Sequence, residues 1–527
     1  MGYCCFIICL VLSLCTSLSI SADVFLSIDC GSSLPYRDEN GIGWVGDDKY
    51  VLSGESRSVK PVNSVSHVMD TLRVFTTGNK NCYHIDSVKQ GRVLVRVIFN
   101  YGNYDGKSSP PTFALHFDGN HWAQVNTSTY HYREVTYDMK RDSISVCVAQ
   151  TEPDQFPFIT SLEVRSLESY MYSHVDATYP LFAWRRFTFG TDTWFRYPDD
   201  PYDRIWAPGE FGNGSIPVST SSDALFSEVS WIDDQPPPVL FKNAITATSP
   251  NATIQLFMDL PYSPISAYIN WYFSEVTRLQ PNQTRSFRIF KDNQSYSAPI
   301  IPPYHNSTGQ HISGIQVSSK TRFSLVPTND STLPPLINAV EIFYIGNYEL
   351  TDGTNAKDVE GLASLQNGFS VLQEWSGDPC LPSPYTWDWI KCNSDPTPRV
   401  TALFLSGYGL SGLLPDFSSM DALQTIDLHN NSLRGPIPDF LGTFPNLKTL
   451  NLAINNLNGT IPASLSKKKG LLLTVSGNPG LCTSNTSCQI LPAAPPPLPR
   501  ANSSTKSKKT SILELLCAAM ILSMIII

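Results

Sequence analysis

The sequence predicts a mainly β protein in which two tandem β-sandwiches precede a short solenoid of repeated units. Two observations carry this prediction. Short segments rich in β-branched and aromatic residues, such as RVLVRVIFNYG and AVEIFYI, fill roughly the first 350 residues and are separated by Gly, Pro, Asn and Asp. A repeat with a period of about 24 residues then begins near Val400. At 527 residues the chain can form several domains, each with its own core.

The strand-rich region contains an internal echo. The stretches FLSIDCGSSLPYRDENGIGW (25–44) and RRFTFGTDTWFRYPDDPYDRIW (185–206) each run from a strand ending in Gly, through Tyr and acidic residues, to Trp. The second stretch begins about one domain length after the first along the sequence. We therefore predict one sandwich over residues 23–185 and a second over residues 186–350. A coincidental likeness of two loops is the alternative that the sequence leaves open.

A helical linker and a cap for the repeats are predicted over residues 351–399. The apolar residues of the linker follow helical spacing: Val359, Leu362, Leu365, Phe369 and Leu372. The segment then leads into WSGDPC (375–380), which precedes the first repeat.

The repeats and their C-terminal cap cover residues 400–488. Equivalent positions are occupied by Leu423, Ile426, Leu428 and Asn431, then by Leu447, Leu450, Leu452 and Asn455, with Asn478 in a partial unit. This is the L-x-x-L-x-L-x-x-N signature of a leucine-rich repeat, in which each unit supplies a short strand to a shared core. The Asn is expected to bond backbone groups of the neighbouring coil. The first unit carries Tyr408 instead of this Asn, so its coil is expected to be less regular.

Seven cysteines lie between the two apolar ends of the chain. Cys380 with Cys392, and Cys482 with Cys488, are predicted to form disulfides that close the ends of the repeat array, as an oxidising compartment allows. For the other three, the predicted arrangement is a Cys82–Cys147 disulfide with Cys30 buried and free. The sequence leaves their pairing open.

The apolar ends predict secretion and membrane attachment. Residues 1–22 resemble a signal peptide, although no basic residue precedes their apolar run. Residues 489–511 form a stalk rich in Pro, Ser and Lys, and residues 512–527 are apolar apart from Glu514 and Ser523. This tail is short for a spanning helix, whereas Asn502-Ser503-Ser504 and the polar spacer after it match a glycolipid-anchor signal with attachment at Asn502 or Ser503. A retained short membrane anchor is the alternative.

Sequons for N-glycosylation agree with a secretory route to the extracellular face of the plasma membrane. They are Asn126, Asn213, Asn251, Asn282, Asn293, Asn306, Asn329, Asn430, Asn458, Asn485 and Asn502. A net charge of −9 and only short basic runs argue against a nucleic-acid partner.

In combination the motifs resemble a plant malectin-like domain. The segments that carry the resemblance are IDCG (28–31), NGIGW (40–44), FNYGNYDG (99–106), FITSLEVR (158–165) and RYPDDPYDRIW (196–206). WSGDPCLPSPYTWDWIKC (375–392) and the repeats after it are similar to the ectodomains of plant malectin-like leucine-rich-repeat receptor kinases. The resemblance implies two malectin folds, a cell-surface setting and binding of carbohydrate or a secreted peptide. Because the sequence contains no H-R-D or D-F-G motif, we expect a non-catalytic receptor-like protein that acts with a partner receptor kinase.

Candidate ligand-binding residues combine aromatic platforms for sugar C–H faces with polar groups for hydroxyls. In the first sandwich they are Tyr36, Asp38, Glu39, Trp44, Tyr101, Tyr104, Asp105 and Trp122. In the second they are Tyr197, Asp199, Asp200, Tyr202, Asp203 and Trp206. For each of them a place in the core or in a turn is the alternative.

The outward row of the repeat strands is the candidate surface for a partner protein. It comprises Gln424, Thr425, Asp427, His429, Lys448, Thr449, Asn451 and Ala453. No cofactor or metal is predicted, because the G-x-G-x-x-G of residues 407–412 belongs to the repeat frame and no Cys/His spacing fits zinc. A cell-wall structural or carbohydrate-binding protein is one alternative. A glycoside hydrolase is another, but Asp199 and Asp200 are adjacent and their side chains are expected to diverge.

Overall fold

The first lobe of the protein, residues 23–180, is built from short strands. We describe it from a computed structural model that covers residues 23–129, 131–220 and 232–482. Its strands are β1 (Phe25–Asp29), β2 (Tyr36–Arg37), β3 (Gly43–Gly46), β4 (Glu55–Ser58), β5 (Thr71–Val74), β6 (Lys80–Ile85), β7 (Arg92–Phe99), β8 (Thr112–Phe117), β9 (Asn120–Asn126), β10 (His131–Asp138), β11 (Ile144–Gln150), β12 (Phe158–Ile159) and β13 (Ser161–Ser166).

The second lobe, residues 181–350, continues the same architecture. Its strands are β14 (Leu181–Thr188), β15 (Ala207–Pro208), β16 (Ser215–Ser219), β17 (Asn243–Ala247), β18 (Ile254–Leu256), β19 (Ile265–Phe273), β20 (Phe287–Lys291), β21 (Gln294–Ser295), β22 (Thr308–Val317), β23 (Phe323–Pro327), β24 (Leu336–Ile337) and β25 (Ala339–Ile345). Short 3-10 turns occupy Pro61–Asn63, His67–Met69 and Pro238–Lys242.

One large sheet runs through both lobes. Its strand order is β2-β3-β1-β13-β7-β10-β14-β25-β19-β22, with β15 paired to β14. The lobes join where Val135 and Thr136 of β10 pair with Phe182 and Leu181 of β14. The predicted boundary between residues 185 and 186 therefore lies within a strand that belongs to this shared sheet.

Smaller sheets lie against the large sheet in each lobe. In the first lobe they are β6-β11-β8-β9 and β12-β5-β4, and in the second they are β18-β23-β20-β21 and β16-β17-β24. Alternate residues of β7, among them Val95, Val97 and Phe99, belong to the apolar core of the first lobe. Trp271 and Phe273 of β19 belong to the core of the second lobe.

Charged, mostly buried residues of the large sheet and of the RYPDDPYDRIW segment form what we call the ion network. The network consists of Arg96, Arg165, Arg186, Arg196, Glu134, Glu163, Asp203 and Glu341. Seven of these residues are at most 4% exposed, and the side chain of Arg196 is 24% exposed. Four arginines thus balance four carboxylates between the strands of both lobes and the RYPDDPYDRIW segment.

The two stretches that echo each other in sequence have the same local geometry. Gly31 and Gly190 both have positive φ values, +79° and +78°. A Cβ on either glycine would lie within 2.4 Å of a carbonyl oxygen, of Leu72 or of Ala244, so only glycine fits.

Helix α1 (Ala356–Gly368) connects the lobes to the repeats. It begins where Asn355 accepts a hydrogen bond from the Lys357 N–H, and it approaches the first repeat closely because Gly361 faces Met420. The helix ends at Gly368, and a 3-10 turn follows at Ser370–Leu372. The residues at helical spacing therefore divide between an α-helix that ends at Gly368 and a 3-10 turn that includes Leu372. Phe369 and Leu372 are nevertheless buried in the repeat core, as their spacing predicts.

The solenoid continues from α1 and its cap. Its elements are β26 (Ile390–Cys392), β27 (Val400–Phe404), β28 (Ser411–Gly412), β29 (Thr425–Asp427), β30 (Ser432–Pro436), β31 (Thr449–Asn451), β32 (Asn456–Thr460), β33 (Leu472–Thr474), β34 (Gly480–Cys482), a 3-10 turn at Asp439–Gly442 and α2 (Ala463–Ser466). Strands β27, β29, β31 and β33 form a parallel ladder, and β26 pairs antiparallel to its first strand.

The asparagine ladder of the repeats is confirmed. The side-chain amides of Asn431, Asn455 and Asn478 donate hydrogen bonds of 2.8–3.0 Å to carbonyls of the preceding coil. Tyr408, at the equivalent position of the first repeat, instead packs against Trp375 of the cap with ring centroids 6.0 Å apart. Strand β28 has two residues where β30 and β32 have five, so the first coil is less regular, as expected.

Two of the predicted disulfides are present. Cys82 of β6 is bonded to Cys147 of β11, and Cys380 is bonded to Cys392. In the described part of the chain Cys30 is buried and outside any disulfide. Cys488 lies outside the described residues, so its pairing with Cys482 stays a prediction.

The chain ends are not described. Residues 1–22 and 483–527 hold the predicted signal peptide, Asn485, Asn502, the stalk, the anchor residue and the apolar tail. Among the described residues, no helix combines the length and the apolar character needed to cross a bilayer.

Candidate ligand-binding cleft

A cleft of about 850 Å³ lies where the first lobe meets α1 and the repeat cap. Its lobe wall includes Lys49, Tyr50, Leu52, His84, Asp86, Lys140 and Arg141. Its opposite wall includes Val359, Glu360, Ala363, Gln366, Glu374, Trp375 and Trp387. The cleft therefore exists only because the cap docks on this face of the first lobe.

The docking depends on the WSGDPC segment. Gly377 has φ +73°, and a Cβ there would lie 2.5 Å from the Cys82 sulfur and 2.8 Å from the Cys147 sulfur. The neighbouring Ser376 hydroxyl donates a 2.8 Å hydrogen bond to the Cys82 carbonyl. Glycine is thus required so that the segment can lie on the disulfide of the first lobe.

Asp378 organises the backbone at the same point. Its buried carboxylate accepts hydrogen bonds from the backbone N–H groups of Thr354, Cys380 and Leu381, at 2.8, 3.0 and 2.9 Å. Lys80 of the first lobe donates to the carbonyls of Asp378 (2.6 Å) and Leu381 (2.9 Å). Burial lowers the pKa of Lys80 to about 8, and the charge of Asp378 opposes this shift. The two walls are therefore joined by buried polar contacts.

The cleft offers an apolar strip between charged edges. Leu52 is 65% exposed in the strip, beside the partly buried Tyr50, Val359 and Trp375. The charged edges are formed by Lys49, Arg141, Asp86, Glu360 and Glu374. Asp118, also in the lining, accepts hydrogen bonds from Tyr137 (2.6 Å) and the Ser145 N–H (2.7 Å), while burial raises its pKa. This arrangement suits binding of a ligand with both apolar and charged groups.

Several candidate residues of the first lobe are in the core instead of on the surface. Trp44 and Trp122 are 2% and 4% exposed, and the Trp44 indole N–H donates to Asp38 at 2.9 Å. Asp38 also closes the turn by accepting from the backbone N–H groups of residues 40 and 42. The expectation that these tryptophans form open platforms is wrong, because strand alternation turns them inward.

The remaining first-lobe candidates lie outside the lining of the cleft. Tyr36 is half-buried and donates to Asp29 at 3.1 Å, whereas Glu39 is exposed. The Tyr101 hydroxyl donates to the exposed Asp105, and burial together with this bond raises the pKa of Tyr101 to about 12. Tyr104 packs 5.5 Å from the Tyr101 ring.

The candidates of the second lobe are mostly structural. Asp200 is buried, pairs with Arg204 at 2.8 Å and accepts from the Trp206 indole at 2.8 Å, which repeats the Asp38–Trp44 contact. Asp203 is buried in the ion network. Their expected exposure to ligand is therefore wrong.

Three second-lobe candidates keep some exposure. Tyr197 packs 5.0 Å from Phe25, Tyr202 donates to Gln235 at 2.7 Å, and Asp199 is exposed. Among the described residues, no sequence-predicted ligand residue of either lobe lines the cleft.

Most residues of the predicted outward row of the repeats lie on or beside the repeat strands with at least part of their surface exposed. Asp427 and Asn451 are register partners on β29 and β31, and Lys448 donates to Gln424 at 3.2 Å. His429 lies 2.7 Å from Asp427. Thr425 and Thr449 are also register partners. Ala453 is the exception, since it is only 8% exposed.

Most described sequons are accessible. Exposed asparagines are Asn126, Asn213, Asn251, Asn282, Asn293, Asn329, Asn430 and Asn458, and Asn306 is partly buried. None of these described asparagines lines the cleft.

The cleft residues carried little sequence signal. Tyr50 and Leu52 follow a turn in the first lobe, 300 residues or more before the cap residues that face them. The detectable signal was the Gly-Asp-Pro-Cys segment, whose glycine and buried aspartate hold the two walls together.

Comparison with known proteins agrees with this architecture. The model of the malectin-like domain family matches residues 28–345. The chain belongs to the malectin-like family. The leucine-rich-repeat model matches residues 422–444 and 446–467. Both are binding modules without catalytic machinery of their own, and the kinase activity named for the relatives below concerns those whole proteins.

The curated relatives include receptor kinases of Arabidopsis thaliana. A probable LRR receptor-like serine/threonine-protein kinase, At1g05700, is 35% identical over 439 residues, which are 80% of this chain and 50% of the relative. An uncharacterized protein, At1g24485, is 36% identical over 349 residues, 65% of this chain and 68% of the relative. The malectin-like chain spans about half the length of the receptor kinases that it matches.

Solved structures with the same fold are also receptor ectodomains. The ANX1 ectodomain from Arabidopsis thaliana has a TM-score of 0.54 at 18% identity, covering 61% of this chain and 96% of that one. The plant receptor-like kinase FER has a TM-score of 0.52 at 18% identity, covering 62% and 96%. At this identity the likeness concerns the malectin-like fold.

Proposed function

We propose that the protein is a plant cell-surface receptor-like ectodomain that holds its ligand in the cleft between the first lobe and the repeat cap. The observation that carries this proposal is the cleft itself. Its volume of about 850 Å³ falls within the range of ligand sites, and its walls combine an apolar strip with charged edges.

Of the two ligand classes expected from the sequence, a secreted peptide fits the cleft better than a carbohydrate. A sugar needs an open aromatic face, but the Lys49 ammonium lies 5.6 Å from the centroid of the Tyr50 ring. Trp375 packs against Trp389 and Tyr408, at 6.3 and 6.0 Å. The accessible apolar groups are instead aliphatic, with Leu52 65% exposed, and these suit the side chains of a peptide.

The cleft also stays clear of predicted glycans, because none of the described sequons lies in its lining. A ligand there would contact the lobe and α1 together. The outward row of the repeats is the proposed docking surface for a partner receptor kinase. The proposed organisation is the one expected from the sequence: a signal peptide, two malectin-like sandwiches, capped repeats, a stalk and a glycolipid anchor at Asn502 or Ser503 at the plasma membrane.

A capture experiment tests the cleft. The secreted protein, as wild type and as a Leu52→Asp variant, is immobilised and exposed to peptides from plant culture medium and to cell-wall oligosaccharides, and bound material is identified by mass spectrometry. We expect wild type to retain defined peptides that Leu52→Asp loses. A Leu34→Asp variant is the matched control, since Leu34 is 74% exposed and outside the cleft lining. Equal retention by wild type and Leu52→Asp would reject the cleft as the site.

A further inference from the structure

A buried histidine lies at the contact between the first lobe and the repeat cap. His116 is on β8, whose residues Phe113, Leu115 and Phe117 belong to the apolar core of the lobe. Because side chains alternate along a strand, His116 points to the opposite face of the sheet. The cap covers that face: the centroids of the His116 and Tyr385 rings are 5.0 Å apart, and His116 is 0% exposed.

The same face of the sheet carries the disulfide on which the cap rests. Cys147 of β11 is the register partner of Cys82 on one side and of His116 on the other, so the three side chains lie side by side. Both cysteines are buried, because Gly377 of the cap lies against their sulfurs. His116 therefore belongs to the contact that holds the cap, and with it one wall of the cleft, on the first lobe.

The ring of His116 has no hydrogen-bond partner. In the part of the chain that the structure describes, neither its Nδ1 nor its Nε2 bonds to another group, and both atoms are shielded from solvent. A neutral imidazole has one N–H donor and one acceptor, whereas the protonated ring has two donors and a positive charge. With the cap docked, the protonated ring would thus be a buried cation without an acceptor, which is strongly unfavourable.

The surroundings of His116 also oppose a positive charge. The titratable groups that face it are Lys80 of β6, His121 of β9 and Tyr385 of the cap. The Lys80 ammonium, which donates to two backbone carbonyls of the cap, is a like charge. Burial, followed by the charges of His121 and Lys80, lowers the pKa of His116 to about 3. The charge of Asp378 acts on Lys80, and no carboxylate bonds to the His116 ring.

We propose that protonation of His116 releases the cap from the first lobe, so that the cleft is assembled at neutral pH and taken apart in mild acid. With the cap released, the ring lies on an open sheet face where water solvates the imidazolium. Protons therefore bind the released form more tightly, and the equilibrium shifts toward release as pH falls. The effect on ligand binding rests on the proposed function of the cleft, whereas release itself requires no ligand.

The pH window follows from the pKa of this ring in the two forms. An exposed histidine has a pKa of about 6.5, whereas that of docked His116 is about 3. Docking is therefore undiminished above pH 6.5, and it weakens about tenfold for each pH unit below that value until about pH 3. Between pH 7 and pH 5, the ratio of released to docked protein should rise about 25-fold.

Reduction of the Cys82–Cys147 disulfide measures release in the full secreted protein. Because the cap covers the sulfurs, the rate of reduction follows the released fraction. A phosphine reductant is applied in short pulses at each pH, and the thiols are then alkylated and located by mass spectrometry. His116→Leu cannot titrate, so the ratio of the wild-type rate to the His116→Leu rate cancels the pH dependence of the reductant. We expect this ratio to rise about 25-fold from pH 7 to pH 5. A ratio that does not change with pH overturns the proposal.

Further readouts separate release of the cap from other events. Cys30 is a free thiol in the core of the first lobe, so an acid-tolerant thiol reagent should label it only when the lobe unfolds. Labelling of Cys30 in step with reduction of the disulfide would indicate unfolding of the lobe and would reject release of the cap. If His116→Leu does not fold, His116→Gln takes its place with the same expected ratio.

The neighbouring His121→Leu is the matched control. Its imidazole is exposed, so this variant should keep most of the rise in reduction rate between pH 7 and pH 5. Loss of the rise in His121→Leu would assign the effect to His121 and reject the role of His116. No ligand takes part in these measurements, so a failed capture experiment with Leu52→Asp would leave their outcome unchanged.

Discussion

Replacing Asp203 by Asn tests whether the ion network stabilises the junction of the lobes. Asp203 is fully buried, and its carboxylate accepts hydrogen bonds from Arg165 at 2.7 Å and Arg196 at 2.8 Å. The network balances four arginines with four carboxylates, so Asp203→Asn leaves one buried positive charge without a counterpart. Removing one partner of a buried pair costs about 3–5 kcal/mol. We expect a loss of about 3–5 kcal/mol, because one Asn oxygen still accepts a hydrogen bond but the amide NH2 replaces an oxygen that accepts from N–H donors on the other side.

Urea unfolding at pH 7, followed by tryptophan fluorescence, measures this loss. Asp199→Asn is the matched control, because Asp199 is an exposed neighbour and surface substitutions change stability by about 0.5 kcal/mol or less. Adding Arg196→Met to Asp203→Asn restores the balance of charges and should recover part of the stability. The reasoning is refuted if Asp203→Asn unfolds at the same urea concentration as Asp199→Asn.

The pH dependence gives an independent check. Burial opposes ionisation of Asp203, but Arg96, Arg196 and Arg165 outweigh it and hold the pKa of this carboxyl well below its usual range. An acid with a lowered folded-state pKa stabilises the protein above its unfolded-state pKa of about 3.9, and this stabilisation is lost as pH falls below that value. The stability difference between wild type and Asp203→Asn should therefore be full at pH 7 and should narrow below about pH 4.

Three further outcomes are expected. Gly377→Ala should lower the melting temperature more than Gly409→Ala does. Both glycines have φ +73°, but only Gly377 lies against the sulfurs of the Cys82–Cys147 disulfide. Equal decreases in melting temperature would contradict the importance of that contact. Asn455→Ala should cost about 1–3 kcal/mol in urea unfolding, since it leaves buried carbonyls of the ladder unpaired, while the exposed neighbour Asn456→Ala should cost little. Phosphatidylinositol-specific phospholipase C should release the protein from membranes with a C-terminal peptide ending near Asn502; retention with Ile527 attached would indicate a short membrane anchor instead.

Periodic and local features could be predicted from the sequence. The leucine spacing and the asparagine ladder follow from one unit, because each repeat makes the same contacts with its neighbour. The Cys82–Cys147 disulfide was one of several open pairings, and the structure selects it because β6 and β11 are adjacent strands in register at these residues. The spacing of Phe369 and Leu372 did not reveal where α1 ends, because a 3-10 turn after Gly368 buries these two residues as well as an α-helix would.

The candidate site could not be predicted, because its chemistry depends on long-range contacts. Tyr, Asp and Trp in a loop suit a sugar site, yet Asp203 of RYPDDPYDRIW belongs to the buried ion network, whose members Arg96 and Glu163 lie on strands of the first lobe. The sequence RVLVRVIF does not indicate which carboxylate its arginine will pair with in the fold. The cleft likewise joins segments that are hundreds of residues apart, so only their docking reveals it.

The joint between lobe and repeats explains several sequence features at once. Tyr408 replaces the ladder asparagine because the first coil has no preceding repeat to bond, and it packs on Trp375 of the cap instead. The cap in turn is held to the first lobe through Gly377 and Asp378. Helix α1, one wall of the cleft, is tied to the first repeat strand because Asp358 accepts from Arg399 and the Val400 N–H. A ligand entering the cleft therefore meets walls that are already ordered, so little of its binding energy is needed to order them.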